Sequence, residues 1–334
     1  LALDTTSFYQ PFLQQTLLML STQELAGLLA NGKSLIIDGA LATELETRGH
    51  DLSHALWSGK TLLEDPDCIR QIHYDYYVSG ADIGITASYQ ASICGLQQHL
   101  SLSETEAKDL VKLSATLAQE ARQQAYDSGV PSTRKLFVAG SVGPYGAYLA
   151  DGSEYRGDYT CTADEFKDFH RPRIAALLEA GVDLLGLETI PSFNEMKALL
   201  DLLQTEFPSS TAWLGITLKD ASHLSDGTPL SEVLSLVEQY KDQVLSFGIN
   251  CVPPGLAVES LQHMSTLTTL PLLCYPNSGE TYVPGEHVWT GDKSGQQMRE
   301  SALQFRAAGA SLIGGCCRTT PEDIKNIAQV LNDA

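Results

Sequence analysis

Three cysteines stand where two apolar runs end: Cys251 in Phe247-Gly-Ile-Asn-Cys-Val-Pro-Pro254, and the pair Cys316 and Cys317 in Ser311-Leu-Ile-Gly-Gly-Cys-Cys-Arg-Thr-Thr-Pro321. If those runs are neighbouring strands, the sulfurs can converge on one zinc and leave its fourth tetrahedral position free, as in a catalytic rather than a structural site. Spacing alone leaves a second reading open, in which each thiol is a small buried hydrophobe. Cys274, inside an apolar run, takes that second reading, as do Cys68, Cys94 and Cys161. A zinc held by three thiolates is a weak Lewis acid towards water but keeps a further thiol deprotonated, whereas a free thiol with a pKa near ~8.5 is mostly protonated at neutral pH. Such a centre suits attack by a sulfur that the substrate brings.

The elements that must position these thiols recur along the chain. Eight short apolar runs occur, Leu35–Gly39, Ile83–Tyr89, Leu136–Ser141, Leu184–Thr189, Ala212–Thr217, Val244–Asn250, Pro271–Tyr275 and Ser311–Gly315. Their continuity predicts strands covered on both faces, as in a parallel sheet. Helical patterns lie between them: Ser103-Glu-Thr-Glu106 and Thr162-Ala-Asp-Glu165 are capping-box starts, and Thr320 with Pro321 opens the last helix. Phrases such as Ser79-Gly-Ala-Asp82 and Glu179-Ala-Gly-Val-Asp183 end a helix on glycine and feed the next strand. The expected fold is α/β, a single-domain (β/α)8 TIM barrel over residues 21–334. A doubly wound open sheet is disfavoured, because no glycine fingerprint for phosphate follows the first run. Barrel active sites form where strands end, and Asp38, Tyr89, Glu188, Asn250, Cys251, Cys316 and Cys317 all fall there.

Composition narrows the function. The 334 residues are 43% hydrophobic and 19% charged, which is ordinary for a globular protein. A formal net charge of -20 opposes binding to nucleic acid or anionic lipid and points to a small-molecule partner. No run is long and apolar enough for a membrane span. Seven cysteines spread over this length do not resemble a secreted disulfide framework, so a reducing cytoplasm is expected. Residues 1–20 read as an N-terminal extension or an appended leader; the apolar stretch Phe12–Leu20 is short and lacks the basic start of a secretory signal.

Seven ordered motifs carry a resemblance: Asp38-Gly-Ala-Leu-Ala-Thr-Glu-Leu-Glu46, Thr86-Ala-Ser-Tyr-Gln-Ala-Ser92, Gly140-Ser-Val-Gly-Pro-Tyr-Gly-Ala-Tyr148, Glu188-Thr-Ile-Pro191, Gly248-Ile-Asn-Cys251, Tyr275-Pro-Asn-Ser-Gly-Glu280 and Gly314-Gly-Cys-Cys-Arg-Thr-Thr-Pro321. Together, from about Lys33 to Ile327, the chain resembles the homocysteine S-methyltransferases, most closely the stand-alone enzymes that use S-methylmethionine or S-adenosylmethionine. The resemblance implies that Cys251, Cys316 and Cys317 ligate zinc (Zn2+), with the homocysteine sulfur in the fourth position. It also implies that Asp38 and Glu188 hold the substrate ammonium, for which a carboxylate pair is well suited. Tyr89 is expected to line the homocysteine or donor pocket, and Asn250 to orient its loop or touch substrate. Gly39 and Gly315 are expected to let ligand or metal approach. The loop from Tyr145 to Tyr159 carries four tyrosines with Asp151, Glu154 and Asp158, a set suited to a cationic sulfonium, and Tyr145, Tyr148 and Arg318 are candidate donor-binding residues. No histidine is assigned a catalytic role.

The implied reaction moves a methyl group from a sulfonium to homocysteine, forming methionine. Betaine-homocysteine methyltransferases are similar, but they carry a tyrosine directly after the fourth-strand Glu-Thr pair, where Ile190 stands here, and a C-terminal arm longer than the segment after Cys317. A betaine-dependent enzyme is therefore the alternative, and a monomer is expected. Corrinoid is not expected, since no Asp-x-His-x-x-Gly motif occurs. A non-catalytic zinc- or thiol-binding module would need a closed fourth ligand, and no candidate for one is evident.

Overall fold

Continuous, largely apolar runs need cover on both faces, and all eight contain strands in the computed structural model. They are β1 (Leu35–Ile36), β2 (Ile83–Ile85), β3 (Phe137–Val142), β4 (Leu184–Ile190), β5 (Ala212–Ile216), β6 (Val244–Asn250), β7 (Leu272–Tyr275) and β8 (Ala310–Ile313). The structure describes residues 22–52, 56, 58–283, 288–290 and 295–333. The expected leader, residues 1–20, lies outside the described residues.

The strands form one parallel sheet in which β1 pairs with β8 and the remaining strands follow in sequence order back to β2. A bridge from Ile37 to Ile83 joins the two edges and completes the expected (β/α)8 barrel. The helices begin where the sequence marks them. Ser103 and Thr162 make reciprocal capping boxes with Glu106 and Glu165. Gly80, Gly181 and Gly309 take left-handed backbone, φ 125°, 78° and 102°, as the chain turns into β2, β4 and β8.

Alternation along the strands divides the core. Leu35, Ile37, Phe137, Ala139, Leu184, Trp213, Leu273 and Tyr275 fill the barrel, while a larger apolar set packs between the strands and the helices. The helix at residues 22–30 sends Leu25 and Leu29 into the inner set. Its Thr22 hydroxyl lies 3.4 Å from the Asp183 carbonyl and 3.2 Å from Thr211 Oγ1, just before β4 and β5, so this helix closes the end opposite the thiols. The inner space is tight. A Cβ on Gly248 would lie 2.0 Å from the Leu273 carbonyl oxygen on β7. Gly248→Ala is therefore expected to destabilise the fold by about 3 kcal/mol in urea unfolding, through strands forced apart.

β1 and β2 are the strands most shortened relative to the sequence expectation. β2 ends at Ile85, because Ser88 N–H turns back to the Thr86 carbonyl at 2.8 Å and the Thr86 and Ser88 hydroxyls pair at 2.7 Å. Tyr89 consequently sits in a loop. β1 ends before Asp38, which is held by its backbone N–H to the Ile83 carbonyl at 3.0 Å. Two hairpins were not foreseen, Leu218–Asp220 with His223–Leu224 and Thr281–Val283 with Val288–Thr290. Among the described residues, no helix is long and apolar enough to cross a membrane.

Candidate metal centre and substrate pocket

Parallel pairing of β6 with β7 and of β7 with β8 brings the cysteine-bearing loops together. Cys251 N–H donates to the Tyr275 carbonyl at 3.2 Å and Cys316 N–H to the Pro276 carbonyl at 2.7 Å, so the loop after β7 ties one cysteine segment to the other. The sulfurs of Cys251, Cys316 and Cys317 all lie within 4.8 Å of one another, and Cys251 Sγ is 3.5 Å from Cys317 Sγ. A tetrahedral zinc with ~2.3 Å bonds sets its sulfurs about 3.8 Å apart, so this soft donor set fits that metal. Hydrogen bonds from Cys251 and Cys316 hold the Cys317 thiol well below its ordinary range, which favours a thiolate here.

The backbone is strained at the same place. Thr189, Cys251 and Arg318 have φ of 61°, 56° and 67°, left-handed values that residues other than glycine rarely adopt. Asn250 explains one of them. Its Oδ1 accepts from Thr189 N–H at 2.8 Å and its Nδ2 donates to Thr189 Oγ1 at 2.7 Å. Those contacts commit the fully buried Asn250 amide to bracing the end of β4.

Two carboxyl groups share the mouth of the barrel. Inward alternation from Leu184 through Gly186 places Glu188 inside the barrel end. There it accepts a short hydrogen bond from Ser141 Oγ and one from Tyr275 Oη at 3.1 Å. Trp213 Nε1 donates to the Tyr275 hydroxyl at 3.2 Å, which orients that phenol. Burial raises the Glu188 carboxyl to about 7, against the opposing effect of the Ser141 and Tyr275 hydrogen bonds. Asp38 Oδ2 accepts from Ile85 N–H at 2.9 Å. Burial pushes Asp38 well above its ordinary range, and repulsion from Glu188 adds to the rise although the Ile85 bond opposes it. Two buried carboxyls that repel one another form a receptor for a cation.

Other expected site residues fall differently. Tyr89 reaches Thr189 with its hydroxyl and lies within electrostatic range of Cys251 and Glu154, at the thiol side of the pocket. The close packing at Gly39 and Gly315 comes from the protein itself: a Cβ on Gly39 would lie 2.8 Å from the Tyr76 ring and 2.9 Å from Thr319 Oγ1, and one on Gly315 2.4 Å from Thr319 Oγ1. Arg318 faces Glu280, with Nε and Nη2 at 3.3 and 3.4 Å from its two carboxylate oxygens. Tyr145 and Tyr148 join an aromatic cluster with Phe169, and Tyr148 Oη donates to Gln98 Oε1 at 2.7 Å. The loop residue that touches the thiols is instead Tyr155, whose Oη is 3.5 Å from Cys251 Sγ.

The family model for homocysteine S-methyltransferase matches residues 35–331. The chain belongs to the homocysteine S-methyltransferase family. It is 51% identical over 308 residues to the homocysteine S-methyltransferase of Escherichia coli, covering 92% of this chain and 98% of that one. It is 46% identical to homocysteine S-methyltransferase YbgG of Bacillus subtilis, covering 88% and 93%. The crystal structure of the homocysteine methyltransferase MmuM from Escherichia coli in its metallated form superposes with a TM-score of 0.82 at 50% identity, covering 91% of this chain and 98% of that one. The protein is thus a methyltransferase acting on homocysteine, and a non-catalytic module is set aside.

In this homocysteine S-methyltransferase the loop after β3 holds what sequence reasoning missed. It contains the short helix Tyr145–Leu149 and a single 3-10 turn, Ser153–Tyr155. Beneath it runs a buried polar chain: Glu195 receives Tyr145 N–H at 2.6 Å and the Tyr159 hydroxyl, and contacts His170 Nε2 at 2.7 Å. Arg173 donates to His170 Nδ1 at 3.1 Å, to the Gly143 carbonyl at 2.5 Å and to the Tyr89 carbonyl at 2.9 Å. Thus His170 and Arg173 brace two loops around the pocket. The only signal in the sequence was their one-turn spacing on a helix. A second group, His50, Asp65 and Cys68, also has ligating atoms within 4.8 Å of one another. There Asp65 Oδ1 already caps a helix by accepting from Cys68 N–H at 3.2 Å, and Arg48 lies close to the Cys68 sulfur, which opposes a cation.

Proposed function

We propose that the enzyme is zinc-dependent and transfers a methyl group from a sulfonium, S-methylmethionine before S-adenosylmethionine, to the sulfur of homocysteine, giving methionine. The observation that carries this reading is the convergence of three thiols beside a pair of buried, mutually repelling carboxyls. That arrangement suits a substrate with a thiol at one end and an ammonium at the other. Cys251, Cys316 and Cys317 would hold the metal. When bound, zinc supplies a position at which a thiol loses its proton and stays nucleophilic at neutral pH.

The chain's own residues do the rest. Asp38 and Glu188 take the ammonium, and Ser141, Tyr275 and Trp213 fix where the Glu188 carboxylate points. Bound so, the acceptor sulfur is restricted in the directions it can attack. Its lone pair forms the new bond to the methyl carbon while the old bond to sulfur breaks, and that electron pair stays on the leaving sulfur. Negative and positive charge cancel, so a pocket walled by Tyr89, Tyr155 and the barrel end favours the transfer over bulk water. No acid or base is required once the thiol proton has gone to solvent. His73 suits no such role: burial lowers it to about 4 and leaves it neutral in the core. We place the enzyme in the cytoplasm, supported by seven cysteines that are all free.

Methionine formation from homocysteine should be followed with S-methylmethionine, S-adenosylmethionine and betaine, each with and without a chelator. Expected is chelator-sensitive turnover that is fastest with S-methylmethionine and slowest with betaine. Turnover with betaine as the best donor, or turnover indifferent to metal removal, overturns the reading.

A further inference from the structure

We propose that Glu154 and Tyr155, neighbours on the turn after β3, form the subsite that receives the positively charged sulfur of the methyl donor. The inference rests on the sulfonium-transfer reading above and assigns the donor end of that site. Four observations support it. First, the turn is fixed at the barrel mouth: Thr217 Oγ1 donates to the Glu154 carbonyl at 3.4 Å, Ser153 Oγ to the Gly146 carbonyl at 3.4 Å, and Gly157 N–H to the Ser153 carbonyl at 2.8 Å. Gly157, at φ 66°, presses so close to β4 that a Cβ there would lie 2.5 Å from the Pro191 carbonyl oxygen.

Second, the Glu154 side chain turns inward. The residue is only 5% exposed, and its carboxylate lies within electrostatic range of Cys251, Cys317 and Tyr89. Third, its Oε2 is buried with no hydrogen-bond partner, the only carboxylate oxygen of that kind among the described residues. The other acids of the loop and its surroundings are engaged: Asp151 accepts from Ser153 N–H, Asp158 pairs with Arg156, Glu195 is saturated by the chain beneath the loop, and Glu280 holds Arg318. A buried carboxylate oxygen left unpaired is costly, and an arriving cation removes that cost. Fourth, Tyr155 is 44% exposed while its hydroxyl contacts Cys251 Sγ, so the phenol crosses from solvent to the thiols and offers a face to a cation entering there.

This placement separates the charges of the two substrates. The acceptor's ammonium goes to Asp38 and Glu188, and the donor's sulfonium goes to Glu154 on the thiol side. Because the sulfonium charge disappears during transfer, the attraction acts on the bound donor more than on the transition state, and its loss shows chiefly in donor KM.

The test is direct binding by calorimetry to protein whose acceptor site is filled with homoserine, which lacks the nucleophilic sulfur. S-methylmethionine is compared with homoleucine, in which a neutral carbon replaces the sulfonium. A charge-assisted contact of ordinary strength gives a preference of roughly tenfold for the sulfonium. Glu154→Gln should abolish that preference while leaving homoleucine affinity unchanged, and Tyr155→Leu should reduce it. Metal content and the melting temperature establish that both variants are folded. A sulfonium preference that survives in Glu154→Gln overturns the proposal, as does an equal loss for both ligands, which would place the donor ammonium at Glu154. If the unaltered enzyme transfers no methyl from any sulfonium, it is the functional reading that fails.

Discussion

Cys317→Ser is expected to lose bound metal and methyl transfer together, with turnover falling by about 10³-fold or more. Cys251 Sγ and Cys317 Sγ are 3.5 Å apart, and Cys316 Sγ lies within 4.8 Å of both, so removing one sulfur leaves two donors where the open centre needs three. Serine oxygen is a harder and less acidic donor than thiolate, and it cannot replace a sulfur on a soft site. The fold should persist, because the loop is held by backbone contacts that do not use the side chain, Ser278 N–H to the Cys317 carbonyl at 3.0 Å and Gly315 N–H to the Asp38 carbonyl at 3.1 Å. Metal analysis of the purified variant beside circular dichroism checks both halves. Cys274→Ala is the matched control: that thiol is wholly buried in β7, so its loss should cost stability through a small cavity while metal content stays at the unaltered level. A Cys317→Ser protein that keeps both its metal and its activity would remove the thiols from the centre.

The barrel could be read from the sequence because its signals are local. Each strand is a continuous apolar run, and Ser103, Thr162 and the glycine helix ends mark the helices by side-chain and backbone geometry within a few residues. The thiol cluster followed from the same regularity, since strand ends in a parallel barrel share one face. What sequence reading missed depends on contacts between distant segments. Tyr145, Tyr148 and Tyr155 are chemically equivalent in a written sequence. Packing against Phe169 draws the first two into an aromatic cluster, whereas the 3-10 turn leaves Tyr155 over Cys251. For Asn250, expected to orient its loop or touch substrate, the sequence could not name the partner, which is Thr189 on a different strand. Gly39 and Gly315 were expected to admit ligand or metal, whereas the atoms that press on them belong to Tyr76 and Thr319.

Glu188→Gln should separate stability from function in opposite directions. In the ligand-free enzyme the Glu188 carboxyl, raised by burial from 4.5 to about 7, binds a proton more tightly folded than unfolded. Between those values the folded state therefore holds more protons, so stability falls as pH rises through the window and stays reduced above it. A shift of that size corresponds to about 3 kcal/mol at pH 8. Glutamine carries no charge to desolvate, and the Ser141 and Tyr275 hydroxyls can turn to accept from its amide as well as donate to its oxygen. The variant should accordingly melt higher than the unaltered protein at pH 8, and the difference should vanish near pH 4. Homocysteine binding should move the other way. With one member of the carboxylate pair neutral, the ammonium loses a desolvated charge partner, and KM for homocysteine should rise roughly 100-fold or more. Metal content should hold, since none of the three sulfurs is disturbed. Asp38→Asn should behave alike in sign, because burial, with repulsion from Glu188 adding to it, raises Asp38 as well. An unchanged KM for homocysteine in Glu188→Gln would remove Glu188 from the acceptor site. A raised KM without any gain in stability at pH 8 would mean instead that the carboxyl is ionised at little cost in the free enzyme. The buried carboxyl thus costs the free enzyme stability once it ionises, although Ser141 and Tyr275 donate to it, and the substrate ammonium supplies the opposite charge that those neutral donors lack.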